Sequence, residues 1–93
     1  MDAIIKGKNI LYIGADADSV SAKITFVNRG EDKIMIKHTF VSEPFRGQGL
    51  GLQLVNEVVE YARQENKKII PKCPFARDVM TNNDEYWDVL VKT

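Results

Sequence analysis

The chain has one cysteine and one histidine, and its thirteen basic residues are balanced by thirteen acidic ones. A single cysteine excludes an intramolecular disulfide and any cysteine cage for a metal. With one histidine and no carboxylate cluster beside it, no metal site is expected. A lone thiol suits a reducing, cytoplasmic setting. Zero net charge removes the electrostatic footprint of nucleic-acid or anionic-membrane binding, so neither partner is expected. No apolar run approaches the length of a membrane span, and the start MDAIIKGKN lacks the apolar stretch of a signal peptide. Internal repeats and low-complexity segments are missing as well. What remains, 93 residues with 44% hydrophobic and 28% charged, reads as one soluble globular domain over 1–93. A chain this short has a thin core, which makes a homodimer reasonable.

The chain divides near Pro44 into a strand-rich first half and a helix-rich second half. NILYIG (9–14) is a short β-rich run, and ADADS (15–19) is turn-like. VSAKITF (20–26) alternates, with Val20, Ala22, Ile24 and Phe26 on one face. NRGED (28–32) has the composition of a hairpin turn. KIMIKHTFV (33–41) alternates again and sets Ile34, Ile36, His38 and Phe40 against Lys33, Met35, Lys37 and Thr39. These runs predict an antiparallel meander. A helix is then expected from about Gly47 to Asn66, with Leu50, Leu54, Val55, Val58, Tyr61 and Ala62 as its buried face. KKII (67–70) predicts a further strand, stopped by Pro71. A shorter helix begins near Cys73-Pro74, because proline suits the first helical position. TNND (81–84) supplies caps for a last helix, DEYWDVLV. The class is α/β with a mixed sheet.

RGQGLG (46–51) places three glycines where the long helix opens, although glycine costs about 1 kcal/mol against alanine in a helix interior. The first amides of a helix have no internal partner, and the helix dipole adds positive charge there. Bare backbone at Gly47, Gly49 and Gly51 admits a phosphate, and Arg46 adds a guanidinium suited to its oxygens. The P-loop pattern fails, because Leu52-Gln53 stands where Lys-Ser/Thr is needed, and the third glycine is one residue early for the dinucleotide fingerprint. The other reading is a tight structural turn with no ligand.

Cys73 at a helix N-cap would have its thiolate favoured by the dipole; it reads equally as a small buried hydrophobe. His38 falls on the apolar face unless a bulge shifts the register, and reads as a core residue or as a catalyst. Tyr86 and Trp87 read as aromatic packing of the last helix.

RGQGLG fits the (Q/R)xxGx(G/A) signature of the GNAT superfamily of acetyl-CoA-dependent N-acetyltransferases. Together with HTFV (38–41), IIPKCPF (69–75) and YWDVL (86–90), it resembles a group of very small, single-domain GNAT-like proteins over about residues 34–91. The resemblance implies a compact GNAT-like fold: a strand meander, a helix, a splayed parallel strand and C-terminal helices. It implies acetyl-CoA or CoA as cosubstrate, bound where the strands at 33–41 and 67–70 splay apart. Backbone amides of Gln48, Gly49, Leu50 and Gly51, with Arg46 and Gly47, would hold the pyrophosphate. The extended backbone of Thr39, Phe40 and Val41 would pair with the pantetheine arm. The small group carries a cysteine and a histidine at the positions of Cys73 and His38, suggested as its catalytic pair. The superfamily's usual general-acid tyrosine would fall on Tyr86. The implied activity is acetyl transfer to a small-molecule or peptide amine. A module that binds or senses CoA without turnover is the alternative, and a small interaction domain with a purely structural glycine turn is a third.

Overall fold

The structure is a computed structural model and describes residues 4–7, 9–16 and 19–91. Five strands form one mixed sheet in chain order: β1 (Ile5–Gly7), β2 (Ile10–Asp16), β3 (Ser19–Asn28), β4 (Lys33–Val41) and β5 (Lys68–Pro71). The first three pairings are antiparallel, and β4 pairs with β5 in parallel. The expected meander is present, and β1 extends it by a short strand that the sequence reading did not include. The turn expected at 15–19 falls partly outside the described residues.

Helix α1 (Leu50–Gln64) connects β4 to β5 and packs across β3, β4 and β5. Its Leu54, Val55, Val58, Val59 and Ala62 meet Leu11, Ile13, Ala22, Ile24, Ile34, Ile36 and Ile69 in one core. The helix is shorter than expected at its start, because Gly47 (φ 86°) and Gly49 (φ 79°) take left-handed conformations that no right-handed helix contains. It ends in a Schellman arrangement on Asn66 (φ 56°), with Lys67 N–H bonded to Ala62 O at 2.8 Å and Asn66 N–H to Arg63 O at 3.3 Å.

Helix α2 (Pro74–Asn82) begins on proline with Cys73 as its N-cap, as the sequence predicts. The last helix expected over DEYWDVLV does not form. A single 3-10 turn spans Asp84–Tyr86, and the chain then runs beside β5. Ile69 N–H donates to Val89 O (2.6 Å) and Val91 N–H to Ile69 O (3.0 Å), with Leu90 bridged in parallel to Ile69. The free edge of β5 offers backbone partners that a helix there would leave unpaired, so sheet pairing overrides helix propensity. Arg63 fastens this segment to α1: it bonds both carboxylate oxygens of Asp88 (3.0 and 2.9 Å), the Glu85 carbonyl (2.6 Å) and Glu60 (2.8 Å).

Candidate active site

Strands β4 and β5 pair only from Lys33↔Lys68 to Ile36↔Pro71. The Ile36 carbonyl then accepts two amides, Lys72 (3.1 Å) and Cys73 (3.2 Å), and the strands part. Proline at 71 cannot donate to a ladder, and Pro74 commits the chain to α2, so β5 has no residues left to follow β4. Beyond the fork, β4 runs on alone to Val41. Ser42 N–H bonds Ser21 O at 2.8 Å, so alternation turns the main-chain groups of Ser42, Phe40 and His38 toward β3. Those of Val41 and Thr39 therefore face the gap, where an extended ligand could pair with them.

A bulge sits at the fork. Phe26 pairs with Ile36 and Thr25 with His38, which leaves Lys37 as an extra residue on β4. One inserted residue moves every later side chain to the opposite face. Thr39 comes opposite buried Ile24, and Val41 opposite buried Ala22, on the helix side of the sheet. His38 and Phe40 are exposed on the other side. The expectation that His38 and Phe40 share the apolar face of Ile34 and Ile36 is therefore incorrect. The adjacent polar pair Lys37-His38 was the available sequence signal, since strict alternation would put one of the two in the core.

The glycine turn stands at the mouth of the fork. Pro44 sits inside a 3-10 turn (Glu43–Phe45), after which Arg46 Nε donates to Val41 O at 3.1 Å. Gly49 is the N-cap of α1 and supplies no side-chain cap. The first helical backbone bond is Gln53 N–H to Gly49 O (3.0 Å). Among the described residues, no backbone carbonyl accepts the amides of residues 47–52. The three glycines serve two purposes. Gly47 and Gly49 carry positive φ, and a Cβ on either would meet nothing within 4 Å. Gly51 has helical geometry, and its Cβ would lie 3.0 Å from Phe75 Cζ and 3.6 Å from Thr39 Cγ2. It is glycine because α2 packs against it, a packing reason that the phosphate reading of all three glycines left out. A cleft of about 450 Å³ opens here, lined by Val41, Phe45, Arg46, Gly47 and Gly49 on one side and by Phe75 and Val79 on the other.

Cys73 is only 6% exposed. Its thiol contacts Thr39 Oγ1 at 3.5 Å, so the partner is the residue after His38. Burial raises the thiol's pKa. The Ala76 amide, the Thr39 hydroxyl and the amides of Phe75 and Thr39 lower it, and their combined effect leaves it below the ordinary thiol value. Tyr86 is buried and its hydroxyl donates to Asn56 on α1, while Trp87 Nε1 donates to the Met80 carbonyl (3.1 Å). Tyr86 thus packs in the core and bonds α1, while Trp87 is half exposed and held by its bond to α2. Burial, then the charge of Glu85, raises the Tyr86 phenol above its usual value. Among the described residues, no helix is long and apolar enough to cross a membrane.

The chain is thus an α/β fold in which a meander is joined by a helix to a parallel strand that forks, with an uncapped helix start at the fork. The sequence profile of the GCN5-related N-acetyl-transferases matches residues 11–89, and the chain belongs to that family. It is similar to a GCN5-like protein from Staphylococcus aureus solved by NMR, at 41% identity over 98% of this chain and 89% of the other, with a TM-score of 0.86. Larger proteins share the fold. An acetyltransferase of the GNAT family from Staphylococcus aureus Mu50 is 16% identical over 80% of this chain and 50% of its own, with a TM-score of 0.63. A GNAT family N-acetyltransferase from Escherichia coli, in complex with CoA, is 22% identical over 67% of this chain and 38% of its own, with a TM-score of 0.56. The chain thus spans half or less of these larger proteins. No curated protein matches the chain significantly.

Proposed function

We propose that residues 1–93 act as one acetyl-CoA-dependent N-acetyltransferase domain. The observation that carries this reading is the row of unpartnered amides at 47–52, at a helix start with no cap, beside the Arg46 guanidinium. Such a row suits a pyrophosphate, with Gly47, Gln48, Gly49, Leu50 and Gly51 contributing backbone N–H groups. The pantetheine arm would pair with Thr39 and Val41 across the gap, and Phe40 would hold the strand in register through β3. The thioester then lies at the fork, near Cys73. The CoA complex of a protein with this fold supports the same ligand class.

Cys73 and His38 act in separate steps, because they lie on opposite faces of β4. The Cys73 thiolate attacks the acetyl carbonyl carbon; a new C–S bond forms, the bond to the CoA sulfur breaks, and CoA leaves with the proton that Cys73 gave up to solvent. An acceptor amine then attacks acetyl-Cys73 from the outer face. The amide forms, the Cys73 thiolate departs, and His38 takes the proton of the amine. The low exposure of Cys73 favours a second reading, in which the amine attacks acetyl-CoA directly with His38 as base.

Amide NMR during titration with acetyl-CoA, followed by intact mass, tests this. Shifts concentrated at Val41 and Gln48 to Gly51, with an acetyl group gained on Cys73, are the expected result. Binding without mass gain points to direct transfer, or to a CoA-sensing module if no amine is ever acetylated. If no amide moves, the cradle reading fails and the glycine turn is structural.

A further inference from the structure

The family resemblance implies a backbone role only for Thr39, yet the bulge turns its side chain inward to the fork. The hydroxyl lies 3.5 Å from Cys73 Sγ. Its methyl group lies 3.6 Å from where a Gly51 Cβ would stand, so α1 closes on the other side of the residue. Thr39 therefore lies between the bare backbone of Gly51 at the start of α1 and the sulfur at the fork. A β-branched residue on a strand has few rotamers, and the one Thr39 adopts sets its methyl toward Gly51 and its hydroxyl toward the sulfur.

We infer that Thr39 is a positioning residue for Cys73, its hydroxyl fixing the sulfur at the β4–β5 fork and serving the thiolate in place of His38. With the thiol protonated, S–H donates to Thr39 Oγ1. When the proton leaves, the hydroxyl turns and donates to the sulfur anion. The groups facing the sulfur are few. β4 presents Thr39, and α2 presents the amides of Phe75 and Ala76. The charged or titratable chain neighbours Lys37, His38 and Lys72 are exposed, and none is among the groups that move the thiol's titration. The inference concerns the acyl-accepting thiol of the proposed transferase and rests on that reading only for its purpose; the geometry itself needs no cofactor.

Cys73 is the only cysteine, so [13C-β]cysteine labelling gives one resonance whose shift against pH reads the thiol directly, whatever its solvent access. The wild-type midpoint should lie below that of a free thiol. Thr39→Val keeps the shape and removes the hydroxyl, and should raise the midpoint by roughly one pH unit, the equivalent of one hydrogen bond to a charged group. Thr39→Ser should bring it back, and His38→Ala should leave it unmoved. An unchanged midpoint in Thr39→Val, or an equal rise in His38→Ala, overturns the inference. If Thr39→Val does not fold, Thr39→Ala is read in the same way. A raised midpoint in a protein whose amides ignore acetyl-CoA would keep Thr39 as the thiol's partner and reject the transferase reading.

Discussion

Gly49→Ala separates conformation from contact at the start of α1. Gly49 has φ 79°, and a Cβ there would meet nothing within 4 Å, so the substitution meets no steric obstacle in space. Its cost comes mainly from the left-handed backbone, about 1–2 kcal/mol for an L-residue. Alanine is also a poorer N-cap than glycine, which adds to the same side. A domain of this size loses roughly 4–8 °C in Tm per kcal/mol, so a fall of about 4–16 °C is expected. Urea unfolding should show the midpoint moving with an unchanged m-value. Gly49→Asn should recover much of the loss, because asparagine tolerates this conformation. Gly51→Ala makes the contrast. Its φ is helical, so alanine gains helix propensity while its methyl presses on Phe75 at 3.0 Å. The ring is 42% exposed and can swing away, so the pair should be coupled: Gly51→Ala should be better tolerated in a Phe75→Ala background. Two results would refute this reasoning: Asn and Ala costing the same at 49, or the Gly51 and Phe75 effects adding independently.

Arg46→Ala should weaken acetyl-CoA binding by roughly tenfold and reduce its salt dependence, through loss of one charge-assisted contact to phosphate; equal affinities by calorimetry would remove Arg46 from the cradle. Tyr86→Phe should cost about 1 kcal/mol of stability through the bond to Asn56 and leave acetyl transfer unchanged, whereas a large fall in kcat would make Tyr86 the general acid. Arg63→Ala should cost about 1 kcal/mol at neutral pH, because a bidentate pair and a carbonyl bond are lost from a largely exposed site. The Arg63 side chain holds the Asp88 carboxyl below its ordinary value, so this contribution is present above the unfolded aspartate pKa and is lost as pH falls through the folded one. The gap between wild type and Arg63→Ala should therefore narrow in acid to the share carried by the Glu85 carbonyl bond, which does not titrate. A gap that keeps its full size there would place the cost outside the Asp88 pair.

The sequence by itself determined what depends on short-range periodicity and backbone chemistry. Val, Ile and Phe at every second position made the strands, and the 3.6-residue spacing from Leu50 to Ala62 made the helix. Pro74 started α2 on Cys73, and the glycines of RGQGLG marked an unusual helix start. Tertiary structure decided the rest. The bulge depends on how Thr25 and Phe26 of one strand meet Ile36 and His38 of the next, and one inserted residue exchanged the roles of His38 and Thr39. Gly51 became a packing residue only because α2 brings Phe75 onto it. DEYWDVLV carries helix caps and acids in the right places, yet the edge of β5 drew Val89 to Val91 into pairing. In each case the local preference was worth a fraction of a kcal/mol per residue, while the partner supplied buried contacts or backbone bonds worth more. Those partners are distant in the chain, so their effect could be read only once the fold had brought them together.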